Sequence, residues 1–175
     1  MNRRRQTARL ALMGMFSAAA LVLLFLASTL PSGRMAVSAL AGLCVAMALV
    51  SSGYGAGIGC YLVSGLLALL FLPNKEVAVY YGAFGLYPIV KLWAEQRRQL
   101  LAWTVKLVAA NVLLAVGWWL LTRVLGVPLE TGQPLVVLWL LGNVVFVCYD
   151  VAFTKVMGYL QQRLLPLLRR VQRGR

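Results

Sequence analysis

The sequence predicts an all-α membrane protein, a bundle of six transmembrane helices in one domain. Two observations predict this fold class. The first is composition: 62% of the residues are hydrophobic, only 12% are charged, and the mean hydropathy is +0.83. A soluble chain of 175 residues could not bury so much apolar surface. The second is spacing: the apolar residues form six stretches near the roughly 20 residues needed to cross the hydrocarbon core.

The basic residues fall at alternate ends of these stretches. The net charge is +13, and eleven of the 17 basic residues lie at the two chain ends and between the fourth and fifth stretches. They are Arg3, Arg4, Arg5, Arg9, Arg97, Arg98, Arg163, Arg169, Arg170, Arg173 and Arg175. This pattern predicts that both termini are cytosolic in a bacterial inner membrane. We therefore expect these basic side chains to interact with anionic lipid of the bilayer, and we expect no nucleic-acid partner.

We place the spans at residues 10–30, 35–50, 54–72, 77–93, 101–121 and 135–157. Residues 1–9 then form a basic cytosolic N-terminus, residues 10–158 the transmembrane domain, and residues 159–175 a basic amphipathic tail. The first span resembles a signal peptide, but no cleavage site follows it and we expect it to be retained. The tail is either a helix on the inner leaflet or a frayed anchor for the sixth span.

Two features interrupt the apolar pattern. Glycine alternates at positions 53, 55, 57 and 59, which is compatible with a bulge or loop but favours a closely packed helix start among so many apolar residues. Pro88 lies inside the fourth span, where it leaves the carbonyl of Phe84 without its helical partner and is expected to bend the helix.

Five ionisable residues lie within the spans or at their ends, Lys91, Glu95, Lys106, Asp150 and Lys155, and the first four form a candidate charge network. Each is costly at the bilayer centre, by roughly 2.5–3.5 kcal/mol on insertion scales. Lys91 and Glu95 are four residues apart and share a helix face. The two acids are expected to pair with the lysines, as Lys91 or Lys106 with Asp150. The network either couples to a cytosolic partner or is a structural ion pair with snorkelling lysines.

A second candidate group could bind a solute in the outer half of the bundle. Its members can hydrogen-bond or stack without carrying charge: Tyr80, Tyr81, Asn111, Asn143 and Trp118. An aromatic pocket with a few amides suits a small planar or amphipathic molecule. The alternative is that the tryptophan anchors the interface and the asparagines bond across helices.

The first span also carries small residues, Ala11, Gly14 and Ala18. Gly14 and Ala18 are four apart, which lets another helix approach closely. They are candidates for a partner interface, although packing within the chain would use the same residues.

Several absences bear on enzyme chemistry. The sequence has no histidine and no phosphate-cradling GxxxxGK[ST] motif, and its four acids do not cluster in a metal-site pattern. Cys44, Cys60 and Cys148 lie within apolar spans and are expected to be buried hydrophobic residues. We therefore predict no catalytic residue, no metal, no cofactor and no enzyme activity.

Two passages resemble a known family. Arg9 to Ala19 is similar to the basic, alanine-rich start of the S components of energy-coupling-factor (ECF) transporters, and Gly53 to Gly59 is similar to the glycine-rich start of their third helix. The resemblance implies a six-helix substrate-binding subunit whose ATP hydrolysis is supplied by partners, a coupling (T) subunit and ATPase subunits. It also implies that small residues of the first helix contact the coupling subunit; Gly14 and Ala18 are the closest match here.

Our leading hypothesis is thus a membrane-embedded subunit that binds a small, vitamin- or cofactor-like solute for an ATP-driven importer. One alternative is a structural or assembly protein that acts through protein contacts at its basic tail. Another is an ion-coupled carrier that uses Asp150 and Lys106.

Overall fold

The computed structural model describes residues 3–95, 99–126 and 134–173, and every regular element in these ranges is helical. The α-helices are Arg3–Thr29 (α1), Arg34–Ser52 (α2), Tyr54–Phe71 (α3), Lys75–Glu95 (α4), Gln99–Trp119 (α5) and Leu135–Arg173 (α6). A π-helical turn, Leu120–Val124, extends α5. Each α-helix is long and apolar enough to cross a membrane. The predicted all-α class and the six candidate spans are confirmed, and they support a multi-pass membrane protein.

The helix ends differ from the prediction in two places. α6 continues through Gly158 to Arg173, where the sequence predicted a separate tail. A single glycine costs a helix only about 1 kcal/mol, and the residues that follow are mostly good helix formers. Ser51 and Ser52 belong to α2, so that Gly53, with a φ of 93°, alone separates α2 from α3. Arg97, Arg98 and Arg175 lie outside the described residues.

The helices α1 to α4 share one apolar core. Its largest fully buried members include Leu24, Val45, Val77 and Tyr81. Phe153 and Met157 of α6 complete it from one side. Many other core positions are alanine, a residue small enough to let helix backbones approach each other.

Glycine allows the closest helix contacts. A Cβ on Gly57 would lie 2.7 Å from the Leu49 side chain, and one on Gly59 would lie 2.6 Å from the sulfur of Met13. The predicted close-packed start of α3 is therefore confirmed at these two positions. A Cβ on Gly42 of α2 would lie 2.6 Å from the carbonyl oxygen of Phe84. Pro88 leaves this carbonyl without its helical hydrogen-bond donor. Helix α2 therefore contacts α4 at the point where one hydrogen bond of α4 is missing.

Helices α5 and α6 lie beside this core rather than inside it. Long stretches of apolar side chains on both are exposed; examples are Val108, Val112, Val136, Leu140, Val144 and Val151. Such a surface fits lipid as the surrounding solvent. Between α4, α5 and α6 the packing leaves a cavity, and next to it lie all four of the candidate charges.

Candidate functional site

The structure brings the four predicted charged residues together at the ends of α4 and α5 and against the middle of α6. Lys91 forms an ion pair with Asp150 and lies 3.6 Å from Glu95. The Lys106 amine is 2.9 Å from Glu95 and 3.5 Å from Asp150. Each lysine thus touches both acids. The four formal charges cancel, as a cluster in a low-dielectric region requires.

Three members of this charge cluster are buried and the fourth reaches the surface. Lys91, Lys106 and Asp150 are 4–6% exposed, whereas the Glu95 side chain is 44% exposed. The Lys91 amine also donates to the hydroxyl of Thr154 at 2.6 Å. Because burial of the three inner groups depends on the neutrality of the cluster, loss of any one leaves a net charge in it.

A cavity of about 340 Å³ lies among α4, α5 and α6. It is almost entirely apolar and is bordered at one point by Met35 of α2. Six aromatic side chains line it: Tyr80, Phe84, Tyr87, Trp118, Phe146 and Tyr149. A concave apolar site of this size, with a few polar groups, is the usual form of a small-molecule site.

The cavity and the charge cluster meet at Tyr87. The ring of Tyr87 lines the cavity, while its hydroxyl donates a hydrogen bond to the Asp150 carboxylate. Its ring also packs edge-on against Phe146, with centroids 5.1 Å apart. Tyr87 therefore separates the apolar cavity from the buried charges and is bonded to them.

Tyr149 lines the cavity beside Tyr87, but its hydroxyl is in a different situation. The ring contacts Phe84 edge-on at 5.1 Å and Tyr87 at 5.6 Å. The hydroxyl oxygen is buried and has no hydrogen-bond partner among the described residues. An unpaired buried hydroxyl costs about 1–3 kcal/mol, and this atom has less than 1 Å² of accessible surface, so the ring of Tyr149, and not its hydroxyl, faces the cavity.

Of the five residues predicted to bind a solute, two line the cavity. Tyr80 and Trp118 do so from α4 and α5. Tyr81 does not: it is 0% exposed in the core, and its hydroxyl lies 2.6 Å from that of Ser64 on α3. Tyr80 and Tyr81 are adjacent and so point about 100° apart around α4, which places one at the cavity and the other in the core.

The two predicted asparagines are also absent from the cavity wall. Asn111 of α5 and Asn143 of α6 bond to each other through both amides, at 3.2 Å in each direction. Each amide nitrogen also donates to the carbonyl four residues earlier, Leu107 and Trp139 respectively. Their donors are thereby satisfied by helix–helix contact, which is the alternative that the sequence left open.

The small residues of α1 face outward. Ala11, Gly14 and Ala18 are exposed, and a Cβ on Gly14 would meet no atom within 4 Å. Another helix has room to approach this face. Its role as a partner interface stays a prediction.

Sequence reasoning missed Tyr87 and Tyr149 as members of the site. Both carried a local signal: Tyr87 precedes Lys91 by one helical turn, and Tyr149 is the neighbour of Asp150. No group of three His, Cys, Asp or Glu side chains that could hold a metal ion occurs among the described residues.

Comparison with known proteins adds no assignment. No family model matches the sequence, and neither a curated protein nor a solved structure is detectably similar to it. The resemblance to ECF S components therefore stays a prediction, and the case for function depends on the site itself.

Proposed function

We propose that this protein is a solute-binding subunit of the bacterial inner membrane, with both termini in the cytosol. The solute binds in the cavity among α4, α5 and α6, and partner subunits hydrolyse ATP to drive its import. The observation that carries this proposal is the aromatic-lined cavity of about 340 Å³.

The position of the cavity along the helices agrees with uptake from outside. Most of its lining residues on α4 and α6 lie in the first half of each candidate span, and most of those on α5 lie in the second half; Tyr87, Ala110 and Tyr149 lie nearer the middle. With a cytosolic N-terminus, these halves are the outer ones. The charge cluster then lies below the cavity, toward the cytosol, where Glu95 is exposed to a partner.

The outward face of α1 supports a role with partners. Ala11, Gly14 and Ala18 leave a shallow surface on which a transmembrane coupling subunit can pack. We expect affinity purification from native membranes to recover a coupling subunit and ATPases with this chain. Replacing both Gly14 and Ala18 with Leu should remove these partners and leave solute binding unchanged. A purified single chain that transports solute in vesicles without partners would contradict the proposal.

A second candidate function, assembly of other membrane proteins, is favoured by the same open face of α1. A change at the basic end of α6 would distinguish the two functions. Charge reversal of Arg169 and Arg170 to Glu should abolish an assembly function, but it should leave binding in the cavity intact.

The charge cluster also allows an ion-coupled carrier, since Lys106 lies 3.5 Å from Asp150. An Asp150→Asn variant separates this alternative from an ATP-driven importer. Uptake that still depends on a proton or sodium gradient at the wild-type level would exclude Asp150 as the coupling group.

A further inference from the structure

We propose that the cavity opens sideways into the bilayer through a window between α4 and α6, and that its solute is an uncharged, lipid-soluble molecule that enters from the outer leaflet. Met35 of α2 and Leu141 and Val145 of α6 border the window. This inference depends on the proposed function, because it names the chemical class of the solute and the phase from which the cavity takes it.

Helices α4 and α6 do not pack directly against each other. Within the described residues, no Cα atom of α4 lies within 8 Å of a Cα atom of α6, whereas helices in direct contact have axes only about 8–10 Å apart. Long side chains span the gap instead: Phe84 contacts Tyr149, and Lys91 reaches Asp150. Among the described residues, none of the ring contacts, hydrogen bonds or ion pairs between the two helices comes from residues 75–83 of α4. The first part of α4 is therefore separated from α6, and the cavity lies between them.

The lining residues beside this gap also belong to the outer surface of the protein. Met35, Leu141 and Val145 are 54%, 58% and 57% exposed, the highest values among the residues that line the cavity. Leu141 and Val145 lie about 8 and 14 Å along α6 from the start of its candidate span at Val136. At that depth the opening faces the hydrocarbon core of a bilayer and not water.

The lining chemistry selects an uncharged, apolar occupant. None of the described side chains that line the cavity is charged, and the nearest charges, Lys91 and Asp150, lie beyond Tyr87 and already pair with each other. An ionised solute would lose its water without gaining a counter-charge. An empty apolar cavity is destabilising because its lining lacks dispersion contacts, and hydrocarbon that fills it restores them.

Acyl chains of bulk phospholipid offer the same hydrocarbon chemistry as a lipid-soluble solute. Because the proposed function is the import of a solute, we assign the cavity to a separate molecule. The experiment must therefore distinguish three occupants: a free lipid-soluble molecule, a phospholipid chain, and a solute that arrives from water.

The test uses three photoreactive probes that carry the same diazirine: an alkane, a phospholipid with that group on one acyl chain, and a short water-soluble carboxylate. The full-length protein is irradiated with each probe in liposomes, and mass spectrometry measures the labelling of Ala110 and Leu121, two buried residues of the lining. For the two lipid-soluble probes this labelling is divided by that of Val112, which is exposed on α5 and does not line the cavity. Gly117→Leu gives the background for each probe, because a side chain at Gly117 has room to enter the cavity.

We expect the alkane to label Ala110 and Leu121 at least about tenfold more in the wild type than in Gly117→Leu, since the leucine occupies the space that hydrocarbon would fill. The carboxylate should stay at background. The phospholipid should label these two residues less than the alkane does, because its headgroup limits how far its chain can enter.

Variants at the edge of the window test its position. Val145→Trp places a large ring at the edge and should reduce labelling of the lining by the alkane at least about threefold. Val144→Trp is the matched control, because Val144 is equally exposed on α6 but does not line the cavity, and it should leave the labelling unchanged. Met35→Trp narrows the window from α2 and repeats the test if Val145→Trp does not fold.

The outcomes separate this inference from the proposed function. If no probe labels the lining above the Gly117→Leu background, the cavity takes no solute and both proposals fail. Labelling by the carboxylate and not by the alkane means entry from water, which overturns this inference and leaves the proposed function standing. Labelling by the phospholipid as strong as that by the alkane makes bulk lipid the occupant and overturns the solute class. Equal labelling in Val145→Trp and Val144→Trp overturns the position of the window. The three probes decide the phase of entry in the wild type even if neither window variant folds.

Discussion

Tyr87 donates its hydroxyl proton to the carboxylate of Asp150, and this hydrogen bond joins the floor of the cavity to the buried charges. The same carboxylate pairs with Lys91. A residue on α4 and a residue on α6 are thus held together across the base of the cavity. Any change in the spacing of the two helices must alter this contact.

Removal of the Tyr87 hydroxyl should lower the free energy of unfolding without changing the shape of the cavity. Tyr87→Phe keeps the ring and deletes a hydrogen bond to a charged group, a loss of about 1.5–3 kcal/mol in the free energy of unfolding. Unfolding by titration with a denaturing detergent in mixed micelles measures it. Tyr81→Phe is the control, because its hydroxyl bonds only the neutral Ser64 and its loss should be about 1 kcal/mol. A larger loss for Tyr81→Phe than for Tyr87→Phe would contradict the claim that the Tyr87 hydroxyl bonds a charged carboxylate.

The buried ion pair should show strong coupling in a double-mutant cycle. Lys91→Met and Asp150→Leu should each reduce the free energy of unfolding by about 3–5 kcal/mol, because each leaves the buried cluster with a net charge. The double variant keeps the neutral pair of Lys106 and Glu95. Its loss should therefore fall below the sum of the single losses by about 1–3 kcal/mol.

A more exposed ion pair gives the matched control for that cycle. The guanidinium of Arg34 lies 3.4 Å from the Glu76 carboxylate, and both side chains are partly exposed. Removing either partner should change the free energy of unfolding by no more than about 1 kcal/mol. Additive effects of Lys91→Met and Asp150→Leu would show that the buried charges do not depend on each other.

The contact between α2 and α4 should tolerate no side chain at Gly42. Gly42→Ala would place a Cβ 2.6 Å from the Phe84 carbonyl oxygen, a backbone atom that cannot move without shifting α4. We expect a loss of about 1–3 kcal/mol in the free energy of unfolding. A Cβ on Gly82 of α4 meets nothing within 4 Å, so Gly82→Ala should instead stabilise the helix by up to about 1 kcal/mol. Equal effects of the two substitutions would refute the close approach at Gly42.

The amide pair of Asn111 and Asn143 should stabilise the contact between α5 and α6 and leave ligand binding unaffected. Each single change to Ala removes both hydrogen bonds between the two side chains. A double-mutant cycle in mixed micelles should give a coupling of about 0.6–2 kcal/mol. Loss of solute binding in either variant would indicate that the asparagines belong to the cavity after all.

The sequence predicted the helices well because length and hydropathy decide whether a segment can cross a membrane. It also anticipated that the buried charges pair, since costly ionisable residues in membrane helices need one another. Lys91 and Glu95 were readily placed on one face by their spacing of four residues.

The cavity could not be predicted because it depends on the rotation of each helix about its own axis. Tyr80 and Tyr81 are chemically alike and adjacent, yet a rotation of about 100° sends one to the cavity and the other to Ser64. For the same reason the sequence left open whether Asn111 and Asn143 bond to each other or to a solute. Hydropathy says little about which polar residue on an apolar helix faces which neighbour.

The most direct test of the account is native mass spectrometry of the protein purified in mild detergent from its own membranes. Gly117 of α5 lines the cavity, and a Cβ there would meet no atom within 4 Å, so a larger side chain has room to enter that space. We expect the wild type and Gly117→Ala to retain a small solute, and Gly117→Leu to carry none. Identical spectra for the three proteins, whether empty or with phospholipid alone, would contradict the claim that the cavity among α4, α5 and α6 binds a solute.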